Sequence, residues 1–354
     1  MPRPSRSVAA VYRQRKQFSE KFHLRGLPRN AVLPCGISAD AWAPAQRGTL
    51  TPRRRGRFAV RNSAAQRERR HMPELFNGCY YKLQSPNQTI AFIPALHRSG
   101  GQQTCSLQII TESGAFCLPF PAQDFVRRPG RPDIRIGRNV FCSRQIRIHL
   151  HTSLLQIEGH VRFGPLTPLR YDIMGPFRFV PGMECRHSVY SMTHAVRGRL
   201  TVNGTEYRFD DGLGYIEGDR GRSFPRRYLW TQCHFGSDAL MLSAADIPVG
   251  PLQFTGIIGV VFLRGREYRL ATYLGARITR LGDGAVEVRQ GKYTLTARLI
   301  EKTTHPLYAP SGGAMNRIIR ESAACCAAYR FSRDSTVLLE GESRCAAFEY
   351  EYPD

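Results

Sequence analysis

Beyond Met72 the apolar and polar positions alternate in short segments rich in Val, Ile, Thr, Tyr and Phe. Turn signals separate them. YYKLQSPNQTIAFIPAL reads as strand, turn at Pro86-Asn87, strand, and CSLQIITESGAFCLPF as strand, Ser113-Gly114 turn, strand. RGRLTVNGTEYRFDDG carries Asn203-Gly204, a strong two-residue hairpin signal. Further turns are expected at Arg264-Gly265, Asp283-Gly284, Gln290-Gly291 and Glu340-Gly341. Long helical periods are missing. The best helix candidate is SGGAMNRIIRESAACCAAY (311–329), which reads equally as a strand with a bulge. The pattern predicts an all-β, antiparallel protein. About 280 residues is too many for one eight-stranded barrel, so two barrel-like or sandwich-like halves are expected, over 72–220 and 221–354. A closed barrel of this size can hold one small apolar ligand.

Charge separates the first 71 residues from the rest. The formal net charge is +23, but residues 1–71 carry 17 Lys+Arg against 3 Asp+Glu, or +14. The remainder carries 34 against 25, or +9. This Arg-rich segment lacks a clean apolar period and reads as a disordered tail. Three origins fit: a start of translation at Met72, an organelle transit peptide, or a basic arm for nucleic acid or anionic lipid. No secretory signal is legible, and the longest apolar-rich run, FTGIIGVVFL (254–263), is about half a bilayer span. The expected location is cytoplasmic, or an organelle if the tail is a transit peptide. The ten cysteines form no CxxC pair, so they read as free thiols in a reducing compartment, with no metal site expected.

The densest chemistry lies in GYIEGDRGRSFPRRYLWTQCHF (214–235). If RRYLWTQCHF is a strand, Tyr228, Trp230, Gln232 and His234 share one face and Leu229, Thr231, Cys233 and Phe235 the other. The second face reads as core. The first mixes aromatic surface with polar handles, as a pocket lining does, although Tyr228 and Trp230 read also as core aromatics. Upstream, Glu217 and Asp219 would point the same way, roughly 6–7 Å apart if extended. Such a pair suits a glycosidase or a surface ion-pair cluster with the nearby arginines. Gly218, Gly221 and Pro225 signal a turning backbone that can carry an acid into a cavity mouth. His187 is a candidate acid–base residue; His194 would fall on the opposite face of a regular strand. Nucleophile-elbow, phosphate-loop and dinucleotide motifs are absent.

EGDRGRSFPRRYLWTQCHF resembles the central motif of the tocopherol cyclase family, in its bacterial tocopherol cyclase-like branch, at Asp219, Gly221, Phe224, Pro225, Trp230 and Gln232. FNGCYYKL (76–83), MECRHSVYSMTHAVRGRL (183–200) and LYAPSGGAMNRIIRES (307–322) resemble other family stretches, in order, so the likeness covers about residues 76–350. Two positions depart: Arg220 and Cys79 stand where the family commonly has Trp. The resemblance implies a lipocalin-like (calycin) fold, distantly similar to carotenoid hydratases, and a cofactor-free reaction on an apolar partner such as a prenylquinone or lipid.

Ring closure in such a reaction requires an alkene to be protonated and a phenol oxygen to capture the tertiary cation. A carboxyl group in a dry pocket can stay protonated for this purpose, and aromatic faces stabilise the cation by about 1–2 kcal/mol each. Asp219 is the expected acid, with Glu217 and His187 beside it. Phe224, Tyr228 and Trp230 form the expected wall, and Gln232, His234 or His187 orient the phenol. Competing readings are a non-catalytic carrier of an apolar lipid and an isoprenoid hydratase or isomerase. Specific nucleic-acid binding is not expected, whereas peripheral membrane contact fits an apolar substrate.

Overall fold

Strand propensity and turn chemistry account for most of the architecture. The computed structural model describes residues 74–249, 252–301 and 304–352; the basic segment 1–71 and the candidate start at Met72 lie outside the described residues. Eleven strands form one antiparallel sheet: β1 (Leu75–Gln84), β2 (Thr89–Ser99), β3 (Gln102–Thr111), β4 (Ala115–Phe120), β5 (Phe125–Arg127), β6 (Ile134–Ile136), β7 (Asn139–Cys142), β8 (Gln145–His151), β9 (Gln156–Phe163), β10 (Cys185–Val202) and β11 (Thr205–Gly221). Ten more form a second: β12 (Tyr228–Phe235), β13 (Asp238–Val249), β14 (Leu252–Leu263), β15 (Arg266–Ala271), β16 (Arg277–Gly282), β17 (Ala285–Gln290), β18 (Tyr293–Glu301), β19 (His305–Ser311), β20 (Ala314–Arg333) and β21 (Thr336–Tyr350). The fold is all-β and antiparallel, as expected. Among the described residues no helix is long and apolar enough to cross a membrane.

Asn203-Gly204, Arg264-Gly265 and Asp283-Gly284 all have positive φ at both residues, the requirement of the two-residue hairpin that matches strand twist. Of the two readings of segment 311–329, the structure takes the strand with a bulge and not the helix: it runs from the end of β19 into β20, and its register against β21 shifts at Ser322/Cys325 and Cys325/Ala327. One expectation needs correction: Glu340-Gly341 is no turn. It lies inside β21, where a Cβ on Gly341 would come 3.1 Å from the Phe235 ring. Glycine is there for ring packing, and the chain reverses at Asp334, with φ of 50°.

Alternation sorts the side chains into three cores. Tyr81, Leu83, Phe92 and Phe141 belong to a core built wholly from the first sheet. Leu229, Cys233, Tyr329 and Phe348 belong to one built from the second. The opposite faces of the same strands supply a third, with Tyr80 and Tyr215 from the first sheet and Tyr228, Trp230 and Met241 from the second. Full burial of each large apolar side chain is worth about 1.5–3 kcal/mol. A reciprocal amide clip joins the sheets: Gln108 donates to the Tyr308 carbonyl at 2.9 Å and accepts from the Tyr308 N–H at 3.0 Å. The cavity opens beside the third core, where side chains of both sheets meet.

Candidate active site

A cavity of about 620 Å³ is lined by residues of both sheets, mostly apolar or aromatic. Such a volume suits a small-molecule ligand. Four of its five acidic residues stand on two walls.

The first wall is β10 against β11. Register sets His187 opposite Asp219, and Glu217 lies two residues further along β11 on the same face. His187 Nδ1 is 2.9 Å from Asp219 Oδ1, and its Nε2 lies 3.1 Å from Glu217 Oε2, close enough for ion pairing but out of hydrogen-bond alignment. Tyr215 donates to Glu217 Oε2 at 2.5 Å, and the Cys185 thiol donates to Asp219 Oδ1 at 3.4 Å. Burial alone would depress the imidazolium, but Glu217 and Asp219 outweigh it and hold the His187 pKa well above its ordinary value. Burial pushes Glu217 up, and His187 only partly offsets this.

The second wall is β20 against β21, where Glu321 and Glu349 sit directly opposite each other. Both are buried, at 2% and 8% exposure. Burial is the main reason the Glu321 carboxyl is pushed up to about 8; Glu217 nearby adds to it. Burial and then Glu321 raise Glu349 well above the carboxylate range. Two buried acids facing each other cannot both ionise readily, and burial favours the protonated form of each. Tyr228 donates its hydroxyl to Glu349 Oε2, whereas Glu321 Oε1 makes no aligned hydrogen bond, with the Tyr80 hydroxyl and Glu349 beside its carboxyl.

Aromatic rings flank the acids. Tyr80 and Trp230 meet edge to face at 5.4 Å between centroids. Phe224, from the segment joining the two sheets, packs edge-on against both Phe76 and Tyr228. Backbone space is limiting beside the first wall. A Cβ on Gly221 would lie 1.9 Å from the Glu184 carbonyl oxygen. Gly221→Ala is therefore expected to force the end of β11 off β10 and to destabilise the fold by about 1–3 kcal/mol, measured as a lower denaturant midpoint at unchanged slope.

Six of the eight residues expected from sequence line this cavity: His187, Glu217, Asp219, Phe224, Tyr228 and Trp230. Gln232 and His234 share the face of Trp230 but lie outside the lining, in a buried polar network. Lys82 donates to Gln232 Oε1 at 3.0 Å, and His234 meets Gln84 Oε1 at 3.1 Å and the Met192 carbonyl at 3.2 Å. His194 packs on Phe163, also away from the lining; register shifts at Val189/Ser191 and Ser191/His194 separate it from His187. Sequence reasoning missed Tyr80, Glu321 and Glu349. The signal for the acids was a carboxylate set in an apolar run, in IIRESAACC and CAAFEY.

No family model matches the chain, and no curated protein matches it in sequence. Solved structures do match. CghA bound to Sch210972 is 11% identical, with a TM-score of 0.53 over 79% of this chain and 89% of that chain. A second crystal structure of CghA gives the same identity and TM-score over 80% and 89%. Kievitone hydratase from Nectria haematococca is 10% identical, with a TM-score of 0.45 over 78% and 89%. At 11% identity the likeness to CghA speaks to a shared fold alone. The tocopherol cyclase resemblance rests on the sequence motifs.

Proposed function

We propose that this protein is a cofactor-independent enzyme that protonates an alkene-bearing, isoprenoid-type molecule and directs the resulting cation to ring closure, on a prenylated hydroquinone or a related compound. One observation carries the reading. Five of the eight buried side-chain polar atoms left without an aligned hydrogen bond among the described residues belong to cavity-lining residues: Tyr80, His97, His187, Trp230 and Glu321, with His187 Nε2 held only by its ion pair to Glu217 and Glu321 within reach of the Tyr80 hydroxyl. Orphaned polar atoms are costly in a folded core. Gathered round one apolar cavity beside protonated acids, they suit a ligand with a long apolar part and a few polar atoms.

The chemistry divides between the walls. Glu321 is the proton donor: its Oε1–H adds to the alkene carbon and leaves a carboxylate and a tertiary cation. The faces of Tyr80, Trp230 and Tyr228 stabilise that cation. A phenol oxygen closes the ring onto it, and its proton passes to Glu217 or Asp219 on the opposite wall. No net redox change occurs. Capture by water in place of the phenol would give a hydratase from the same first step. Asp219 is less suited to donate first, because its Oδ1 already engages His187 and the Cys185 thiol.

The test is turnover of a panel of prenylated hydroquinones and simpler isoprenoid alkenes by the full chain, read by mass spectrometry. A product of unchanged mass and altered retention supports cyclisation, and one heavier by a water supports hydration. Substrate retained but unchanged across the panel contradicts the proposal and favours a lipid carrier. The rate should fall as pH rises through about 8, where Glu321 loses its proton; a rate that is flat or rising there argues against Glu321 as the donor.

A further inference from the structure

A second cluster of chemistry lies on the outer face of the first sheet, among residues absent from the cavity lining. His149 and His151 are two apart on β8, so both side chains stand on one face. Between them Leu150 points the other way and is buried in the first core. Register places Glu158 of β9 directly across from His149 and diagonal to His151. Glu158 Oε2 is 3.5 Å from His151 Nε2 and 4.0 Å from His149 Nδ1. The two imidazole rings are 4.6 Å apart, and the three ligand atoms lie within 4.8 Å of one another.

We propose that His149, His151 and Glu158 form a surface site for a borderline divalent transition-metal ion such as Zn²⁺. Zinc bonds of about 2.0–2.1 Å in tetrahedral geometry put neighbouring ligand atoms about 3.3 Å apart. The separations from Glu158 need to close by well under 1 Å. Neutral imidazole suits Zn²⁺, Ni²⁺ and Cu²⁺, whereas Mg²⁺ and Ca²⁺ prefer sites made of oxygen atoms. The three side chains are 48%, 50% and 64% exposed, so an ion can enter and water can complete the coordination shell. Among side chains next to the cluster, His160 follows Glu158 on the same face but binds Gln145 Oε1 at 2.8 Å. Arg147 of β8 and Arg199 of β10 both pair in register with His160, one step from the site. Their charges weaken the site without blocking it.

Such an ion would bridge β8 and β9, so it binds only where the two strands are paired. Binding then stabilises the folded state by mass action. The experiment is calorimetric titration of the full chain with Zn²⁺ and with Co²⁺, using Mg²⁺ and Ca²⁺ as controls, in the native protein, in Glu158→Gln and in a double His149→Ala, His151→Ala variant. All three positions are exposed, so the variants should fold. The expected result is one saturable equivalent of Zn²⁺, at least tenfold weaker binding in Glu158→Gln, none in the double variant, and no Mg²⁺ or Ca²⁺ binding. Zn²⁺ should raise the melting temperature of the native protein and not of the double variant. Absence of saturable binding, or binding that survives in the double variant, would overturn the proposal. So would Co²⁺ thiolate charge-transfer bands, which would assign the ion to cysteines.

Discussion

Glu321→Gln is expected to lower turnover of a competent substrate by about 10²–10⁴-fold, the range in which a positioned general acid contributes. Glutamine keeps the shape of the side chain and can still donate a hydrogen bond, but it cannot give up a proton at a useful rate. Glu349→Gln should have a smaller effect, because Glu349 already engages the Tyr228 hydroxyl and does not face the reaction alone. The fold should survive both changes. In the native protein Glu321 has a raised folded pKa, so the unfolded chain releases this proton first and stability falls as pH rises from about 4.5 towards about 8. Glu321→Gln should flatten that slope while leaving the acid-side stability nearly unchanged. The check is kcat measured beside urea unfolding at several pH values. A folded variant that keeps full turnover would assign the proton to another group.

His187→Ala should be the most destabilising single change at the site, by about 3–5 kcal/mol, since it removes the cation from a buried ion-pair cluster and leaves two carboxylates facing each other. The pH dependence follows from the sign of the shift. The folded His187 pKa stands well above its ordinary 6.5, so its stabilisation is fully present below about 6.5 and is lost as pH rises through the folded pKa. The gap between native and His187→Ala should thus be widest in mild acid and should narrow at alkaline pH. Urea melts across that window give the answer. A penalty below about 1 kcal/mol, or one that does not change with pH, would mean that the imidazolium is not what holds Glu217 and Asp219 in place.

Much of this site was legible because strands write their faces into every second residue. YLWTQCHF separates into a core face and a second face by parity alone, and the structure keeps that parity along β12. Asn203-Gly204 and Asp283-Gly284 announce their turns because both residues must accept positive φ. Parity says nothing about depth along a strand. Gln232 and His234 share the face of Trp230, yet they lie where Lys82 and Gln84 cross and so leave the cavity lining. Parity also put His187 and His194 on opposite faces, and their partners Asp219 and Gly214, five apart on β11, keep them there. Glu321 and Glu349 were hidden for a second reason. Their meaning comes from pairing across β20 and β21, and a segment that reads equally as helix or strand assigns no cross-strand partner. The turn expected at Glu340-Gly341 failed because a glycine placed for ring packing looks the same in sequence as one placed for φ.

The most direct test of the central claim is turnover in D₂O. The full chain is incubated with the prenylated hydroquinone panel, and the product is analysed for deuterium bound to carbon. Proton transfer from a solvent-exchanged Glu321 carboxyl predicts one such deuterium in the cyclised product, and no product above background from Glu321→Gln. A cyclised product without carbon-bound deuterium would contradict acid initiation, and a labelled product made equally well by Glu321→Gln would contradict the place assigned to the acid.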